Sequence, residues 1–205
     1  RAMVEASGLA VSAINLRYEG HFDAGGFTHP DPAVRQRAVD FTCQAGEVAT
    51  ALGCGEIVVW PSHDGFDYPF QMDYEAAWRG TVSALAEIAD RLAGMRVAIE
   101  YKPTDPRRFS LLANAGMSLL AIEEAGRANL GITVDFAHSL MAGENPATVV
   151  RVAAAKNRLM GLHLNDAYGR ADDGLVVGSI HPLQTIELLW HLQSAGYGGH
   201  IYFDT

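Results

Sequence analysis

Four side chains able to hold a cation stand at or near the ends of apolar, β-branched runs: Glu100 in "VAIEY", Asp135 in "LGITVDF", His163 in "LMGLHLN" and Asp204 in "HIYFDT". With 24 acids and eight histidines in 205 residues, any one such position means little. Four consecutive runs each presenting a ligand-type side chain at the same end form a pattern. Three carboxylates and an imidazole make a mostly oxygen donor set, suited to a hard or borderline divalent ion such as Mn2+, Mg2+ or Co2+. A cation among them would let the acids share a small volume without raising one another's pKa. A second set lies just beyond. His138 follows Asp135 by one helical turn, and Asp172 and Asp173 occupy the loop after His163. With Asp135 as a bridge, these could hold a second ion. Lys102 follows Glu100 by two residues, the spacing of side chains on one face of a strand, and would aim its ammonium at an oxygen that the first ion polarises.

Each of these residues has a plainer explanation when taken alone. Glu100 and Lys102 could be a solvated ion pair worth almost nothing. His163 could be a satisfied core histidine, Asp172-Asp173 a polar loop and Asp166 an Asx-type turn residue. A shared rim explains all four strand ends at once and outweighs these readings. His21, His63, His181, His191 and His200 are expected to be structural or exposed.

The elements that must position these residues follow from hydrophobic periodicity. Strand candidates lie at 10–16, 56–60, 97–101, 130–136, 159–165 and 200–205, with amphipathic helix candidates near 32–52, 74–93, 110–127, 145–157 and 182–195. Asp31-Pro32 and His181-Pro182 mark helix starts, and Gly53 and Gly196 lie near ends. Strict alternation, with strands apolar on both faces, means a parallel sheet covered by helices. No G-x-G-x-x-G follows the first strand, which removes the main support for a dinucleotide fold. The loops after the strands are long and polar and the returns short, as in a (β/α)8 TIM barrel whose active face is built from its βα-loops. Such a barrel needs eight strands. The chain is therefore expected to carry strands three to eight of a single barrel domain over 1–205, lacking the N-terminal strands and the end of the C-terminal part; it starts at Arg1 rather than at methionine and stops inside a strand-like run.

Composition excludes several classes of function. The formal charge of -9 disfavours nucleic acid and anionic membranes as partners. No apolar run approaches a membrane span and no signal-peptide pattern opens the chain. Cys43 and Cys54 lack metal-type spacing and are expected to be reduced, half-buried thiols of a cytoplasmic protein.

At this point the motifs resemble a family. "IEYKPTDPR", "VDFAHSLMAGENP", "GLHLNDAYGRADDGLVVGS" and "YFDT" are similar to the metal-binding segments of the xylose-isomerase-like TIM-barrel superfamily, most of all its L-rhamnose isomerase type and related sugar isomerases. The resemblance spans nearly all of 10–205. It implies a structural metal held by Glu100, Asp135, His163 and Asp204, and a catalytic metal held by Asp135, His138, Asp172 and Asp173. It implies one or two ions of Mn2+, Co2+ or Mg2+ per subunit, and a homo-oligomer. Lys102 would hydrogen-bond the carbonyl-side oxygens of the substrate, and Lys102 and Asp172 are the expected catalytic residues. "VVWPSHDGFDYPFQ" is similar to the segment supplying an aromatic wall, so Trp60 and Phe70 would pack on the carbons of a sugar; "GGFTHPD" places His29 where rhamnose-type enzymes hold a sugar-binding histidine. Two departures matter. Xylose isomerases proper have Glu and Asp where this chain has Asp135 and His163, so xylose is not implied. Keto-sugar 3-epimerases end the last metal strand in a glutamate that serves as a base, where this chain has the shorter Asp204.

The leading expectation is a divalent-metal-dependent isomerase that interconverts an aldose and a ketose by a metal-assisted hydride shift. The alternatives are a keto-sugar epimerase or lyase of the same superfamily, working by proton abstraction, and a catalytically silent sugar-binding barrel. A DNA-repair endonuclease of the same barrel type would need a basic face, which the charge of -9 denies.

Overall fold

The computed structural model describes residues 2–205. Six parallel strands form one sheet: β1 (Ile14–Arg17), β2 (Glu56–Trp60), β4 (Arg96–Glu100), β6 (Leu130–Asp135), β7 (Leu159–Leu164) and β8 (Ile201–Phe203), adjacent in that order. Two short strands in the loops, β3 (Gly65–Phe66) and β5 (Phe109–Ser110), pair antiparallel as a separate ribbon. The helices are α1 (Ala2–Ser7), α2 (Pro32–Ala51), α3 (Tyr74–Arg91), α4 (Ala115–Ala125), α5 (Phe136–Met141), α6 (Pro146–Ala155) and α7 (Pro182–Ser194). Sequential strand–helix–strand units give a partial TIM barrel with β1 and β8 at its two edges. No helix among the described residues is long and apolar enough to cross a membrane.

Local chemistry sets these boundaries. Asp31, Asp73, Asn114, Asp135 and Asn145 each accept a backbone N–H in the first turn of the following helix, and Pro32, Pro146 and Pro182 open theirs. Gly126 ends α4 in the left-handed region at φ 67°. The helix expected over 110–127 starts only at Ala115, because Phe109 and Ser110 join the ribbon and Asn114 serves as the cap. The strand expected over 10–16 is displaced to Ile14–Arg17. Neither α1 nor α5 is visible in the periodicity, both being only six residues long. Cys43 and Cys54 are free thiols, buried more deeply than expected.

The sheet buries two faces. Ile57, Val59, Val97, Ile99, Ile132 and Leu162 pack outward in the main core beneath the helices, while Val58, Ala98 and Met160 form a smaller cluster on the concave side. On that concave side Gly161 is in register with Thr133, and a Cβ at 161 would meet Thr133 Oγ1 at 2.7 Å. Gly161→Ala should therefore cost about 1–3 kcal/mol by overpacking, read as a melting temperature lowered by several degrees. An unchanged melting temperature would mean that β6 and β7 can separate freely at this point.

Candidate metal centre

The concave side carries its polar residues at the carboxyl ends of the strands. Glu100 is the last residue of β4 and Asp135 the last of β6, His163 lies in β7, and Asp204 directly follows β8. Asp135 and His163 are register partners, and Asp204 N–H donates to Leu164 O at 3.2 Å, which docks the end of β8 beside His163. One ligand atom from each of Glu100, Asp135, His163 and Asp204 lies within 4.8 Å of all the others. The first three are almost fully buried, whereas the Asp204 side chain is 61% exposed.

His163 Nδ1 is 3.3 Å from Glu100 Oε1, 3.5 Å from Asp204 Oδ2 and 3.8 Å from Asp135 Oδ2. These separations exceed a charge-assisted hydrogen bond of about 2.7–2.9 Å. Both ring nitrogens of His163 and Nδ1 of His138 are buried without a hydrogen-bond partner. Orphaned buried nitrogens facing carboxylates at this spacing fit a shared cation, because an octahedral ion with bonds of about 2.1 Å spaces its ligands about 3.0 Å apart at right angles and about 4.2 Å across. The electrostatics agree. Burial lowers the His163 pKa, but Asp204, Glu100 and Asp135 outweigh it and push it up to about 10. Burial, then Glu100, raises Asp135 to about 6 against the pull of His138. The cluster demands positive charge, and a bound divalent ion would take the place of the imidazolium proton.

His138, on α5, is next. Its Nδ1 faces Glu100 Oε1 at 3.5 Å and Asp135 Oδ1 at 3.8 Å, while Nε2 contacts Asp172 Oδ2 at 3.2 Å. Asp172 also accepts from Lys102 Nζ at 3.1 Å, and Lys102 donates to Asp105 at 3.0 Å. His138, aided by Lys102, holds the Asp172 carboxyl well below its ordinary range against the effect of burial. Lys102 thus pairs with Asp105 and Asp172 rather than with Glu100, so the charges at 100 and 102 serve different neighbours. Trp60, at the end of β2, lies with its ring centroid 5.1 Å from Lys102 Nζ.

Three expected residues are not gathered here. Phe70 is 97% exposed in the loop before α3, held at φ 66°, so it forms no wall beside Trp60. Asp173 closes its own loop by accepting the Tyr168 N–H at 2.8 Å. His29 lies on a separate cavity of about 510 Å³, together with Thr28, Arg35, Gln71 and Arg107, and its Nδ1 accepts the Asp31 N–H. Asp166 is the loop residue expected of it: it accepts the backbone N–H groups of Ala167, Ile180 and His181 and contacts the His181 ring.

Two residues that position the centre were not anticipated. Asn165 Nδ2 donates to both Asp135 oxygens, at 3.3 and 3.0 Å, and its Oδ1 accepts the Ala137 N–H at 2.9 Å. Its spacing of two from His163, which puts both on one strand face, was the available signal. Ser139 donates to Asp135 O and hydrogen-bonds Tyr101 Oη at 2.8 Å, tying α5 to the end of β4.

The family described as xylose isomerase-like TIM barrel matches residues 1–205. The chain is 32% identical over 209 residues to a xylose isomerase of Thermus thermophilus, covering 98% of this chain and 54% of that protein. It is 32% identical over 212 residues to a xylose isomerase of Thermus caldophilus, covering 100% and 54%. The chain thus spans about half the length of these curated relatives. Among solved structures, a D-tagatose 3-epimerase-like protein superposes with a TM-score of 0.80 at 23% identity, over 99% of this chain and 73% of that one. A D-allulose 3-epimerase from Methylomonas sp. in complex with D-allulose gives 0.75 at 20% identity, over 100% and 66%. At these identities the structural neighbours speak for the fold.

Proposed function

The chain belongs to the xylose isomerase-like TIM-barrel family, and on that premise we propose that it is the metal-binding part of a sugar isomerase interconverting an aldose and a ketose. The observation that carries this is the convergence of Glu100, Asp135, His163 and Asp204 within 4.8 Å of one another. These four would hold a first divalent ion, Mn2+, Co2+ or Mg2+, and Asp135, His138 and Asp172 would hold a second. A bound ion supplies Lewis acidity and a template for adjacent sugar oxygens.

The chain's own residues do the rest. Trp60 offers an apolar face to the carbon skeleton of an open-chain sugar. Lys102 donates to the carbonyl-side oxygen and stabilises the negative charge that develops there. Asp172, fixed between His138 and Lys102, accepts hydrogen bonds that orient the oxygens on C1 and C2, and the proton leaving the C2 hydroxyl passes through water to the oxygen on C1. The hydrogen on C2 crosses to C1 with its electron pair, so no atom is gained or lost. Epimerisation by proton transfer needs bases on both faces of the substrate. Glu100 is one candidate for that work, and at the end of the last strand this chain has Asp204, shorter by a methylene than the glutamate base of keto-sugar 3-epimerases, which favours isomerisation.

A panel of pentoses and hexoses assayed with each ion in heavy water tests this. An aldose should give its 2-ketose with little deuterium on carbon. Extensive label at C2 of an aldose product would exclude the hydride route. A protein that inverts C3 of ketoses yet leaves aldoses untouched would be an epimerase instead.

A further inference from the structure

At the edge of the sheet farthest from Asp204, β1 ends in Arg17, whose register partner on β2 is Trp60. Leu16 is buried in the core beneath the helices, so its neighbour Arg17 points to the concave side, where the metal-type residues lie. The guanidinium carbon sits 5.8 Å from the Trp60 ring centroid, and Lys102 Nζ is 5.1 Å from the same ring. Two cations therefore share one aromatic wall. Their circumstances differ. Lys102 is engaged by Asp105 and Asp172, whereas Arg17 meets the ring from β1, the strand on the other side of Trp60. Arg17 thus stands at the carboxyl end of β1, the same end of the sheet that carries Glu100 and Asp135.

We propose that Arg17 is the anion-reading residue of this site, and that the substrate is a sugar carrying an oxyanion, a carboxylate or a phosphate, at the end remote from the rearranging carbonyl. The proposal rests on the sugar-isomerase assignment and narrows its substrate class. A guanidinium is permanently charged, and its planar fork matches either oxyanion bidentately. Contact with the indole face restrains the fork without using its donors. An acidic chain with an acid-rich centre repels anionic ligands. A cation on the wall away from Glu100, Asp135 and Asp204 offsets that repulsion and orients the anionic end outward.

The test uses the full chain loaded with Mn2+, assayed with an aldohexose, its uronate and its 6-phosphate, comparing wild type with Arg17→Leu and Arg17→Lys. Wild type should show its lowest KM for one of the two anions, and which one identifies the oxyanion. Arg17→Leu should raise that KM about 10- to 100-fold, leaving kcat, the KM of the neutral sugar and the melting temperature unchanged, and Arg17→Lys should restore part of the loss. A wild type that prefers the neutral sugar, or a Leu variant that raises every KM alike or unfolds earlier, would make Arg17 only a cover for Trp60. Should no sugar of the panel turn over, the isomerase assignment falls by itself. Calorimetric binding of the same uronate and phosphate to wild type and Arg17→Leu then decides the role of Arg17, and equal affinities overturn it.

Discussion

Glu100→Gln should abolish turnover and metal affinity together while leaving the fold intact. The substitution keeps the length and most of the hydrogen-bonding capacity of the side chain but removes one of three carboxyl charges from the cluster. An amide is a poor donor to a hard divalent ion compared with a carboxylate. We expect kcat/KM to fall on the order of 10³-fold, in keeping with the several kcal/mol that a Lewis acid contributes to a transition state. In the metal-free protein the variant loses the attraction of Glu100 for His163 and His138 along with its repulsion of Asp135, so the melting temperature should change little. Titration of Mn2+ by calorimetry, with activity before and after chelation, reads both effects. Chelated wild type should be inactive and recover with added ion. Wild-type affinity in the variant would mean that the four residues do not hold the cation.

Asp64→Ala should be the most damaging single change to stability away from the centre. Asp64 is buried in the loop after β2, and its carboxylate receives four donors from the loop that follows β1. Gly26 N–H donates to Oδ1 at 2.9 Å, Thr28 N–H at 2.7 Å and Thr28 Oγ1 at 2.6 Å, while Phe27 N–H donates to Oδ2 at 3.1 Å. Alanine would leave three buried backbone N–H groups without an acceptor. Each such orphan costs about 1–3 kcal/mol, and with partial relaxation we expect a total of about 3–5 kcal/mol. For a domain of this size that is roughly 10–15 °C in Tm. Asp64→Asn retains one acceptor oxygen and should lose about half as much. A change of less than about 3 °C for the alanine variant would show that water satisfies the loop.

How much of this was legible beforehand depended on whether the signal was local. The strand ends bearing Glu100, Asp135, His163 and Asp204 were readable because apolar runs fix the strands to within a few residues and a parallel sheet aligns their carboxyl ends. His138 was readable because Asp135 caps α5 and sets it one turn away. Asp172 and Asp173 were indistinguishable by type, and only loop closure by the Tyr168 N–H separates them. Phe70 and His29 failed for a related reason: resemblance fixes where a segment lies along the chain, not which way a loop side chain turns. Asp64 and Arg107 carried no signal at all. Most of their partners are backbone groups far along the chain, such as the Phe27 N–H that donates to Asp64 and the Asp23 carbonyl that accepts from Arg107, and backbone partners have no sequence identity to read.

The last strand gives the centre an uneven character. Only three residues make up β8, which pairs on one side alone among the described residues and leaves Phe203 and Asp204 largely open to water. An ion gripping Asp204 would act as a clasp, fastening the end of β8 to those of β4, β6 and β7 at one point, so that cation occupancy would strengthen the sheet as well as complete the site.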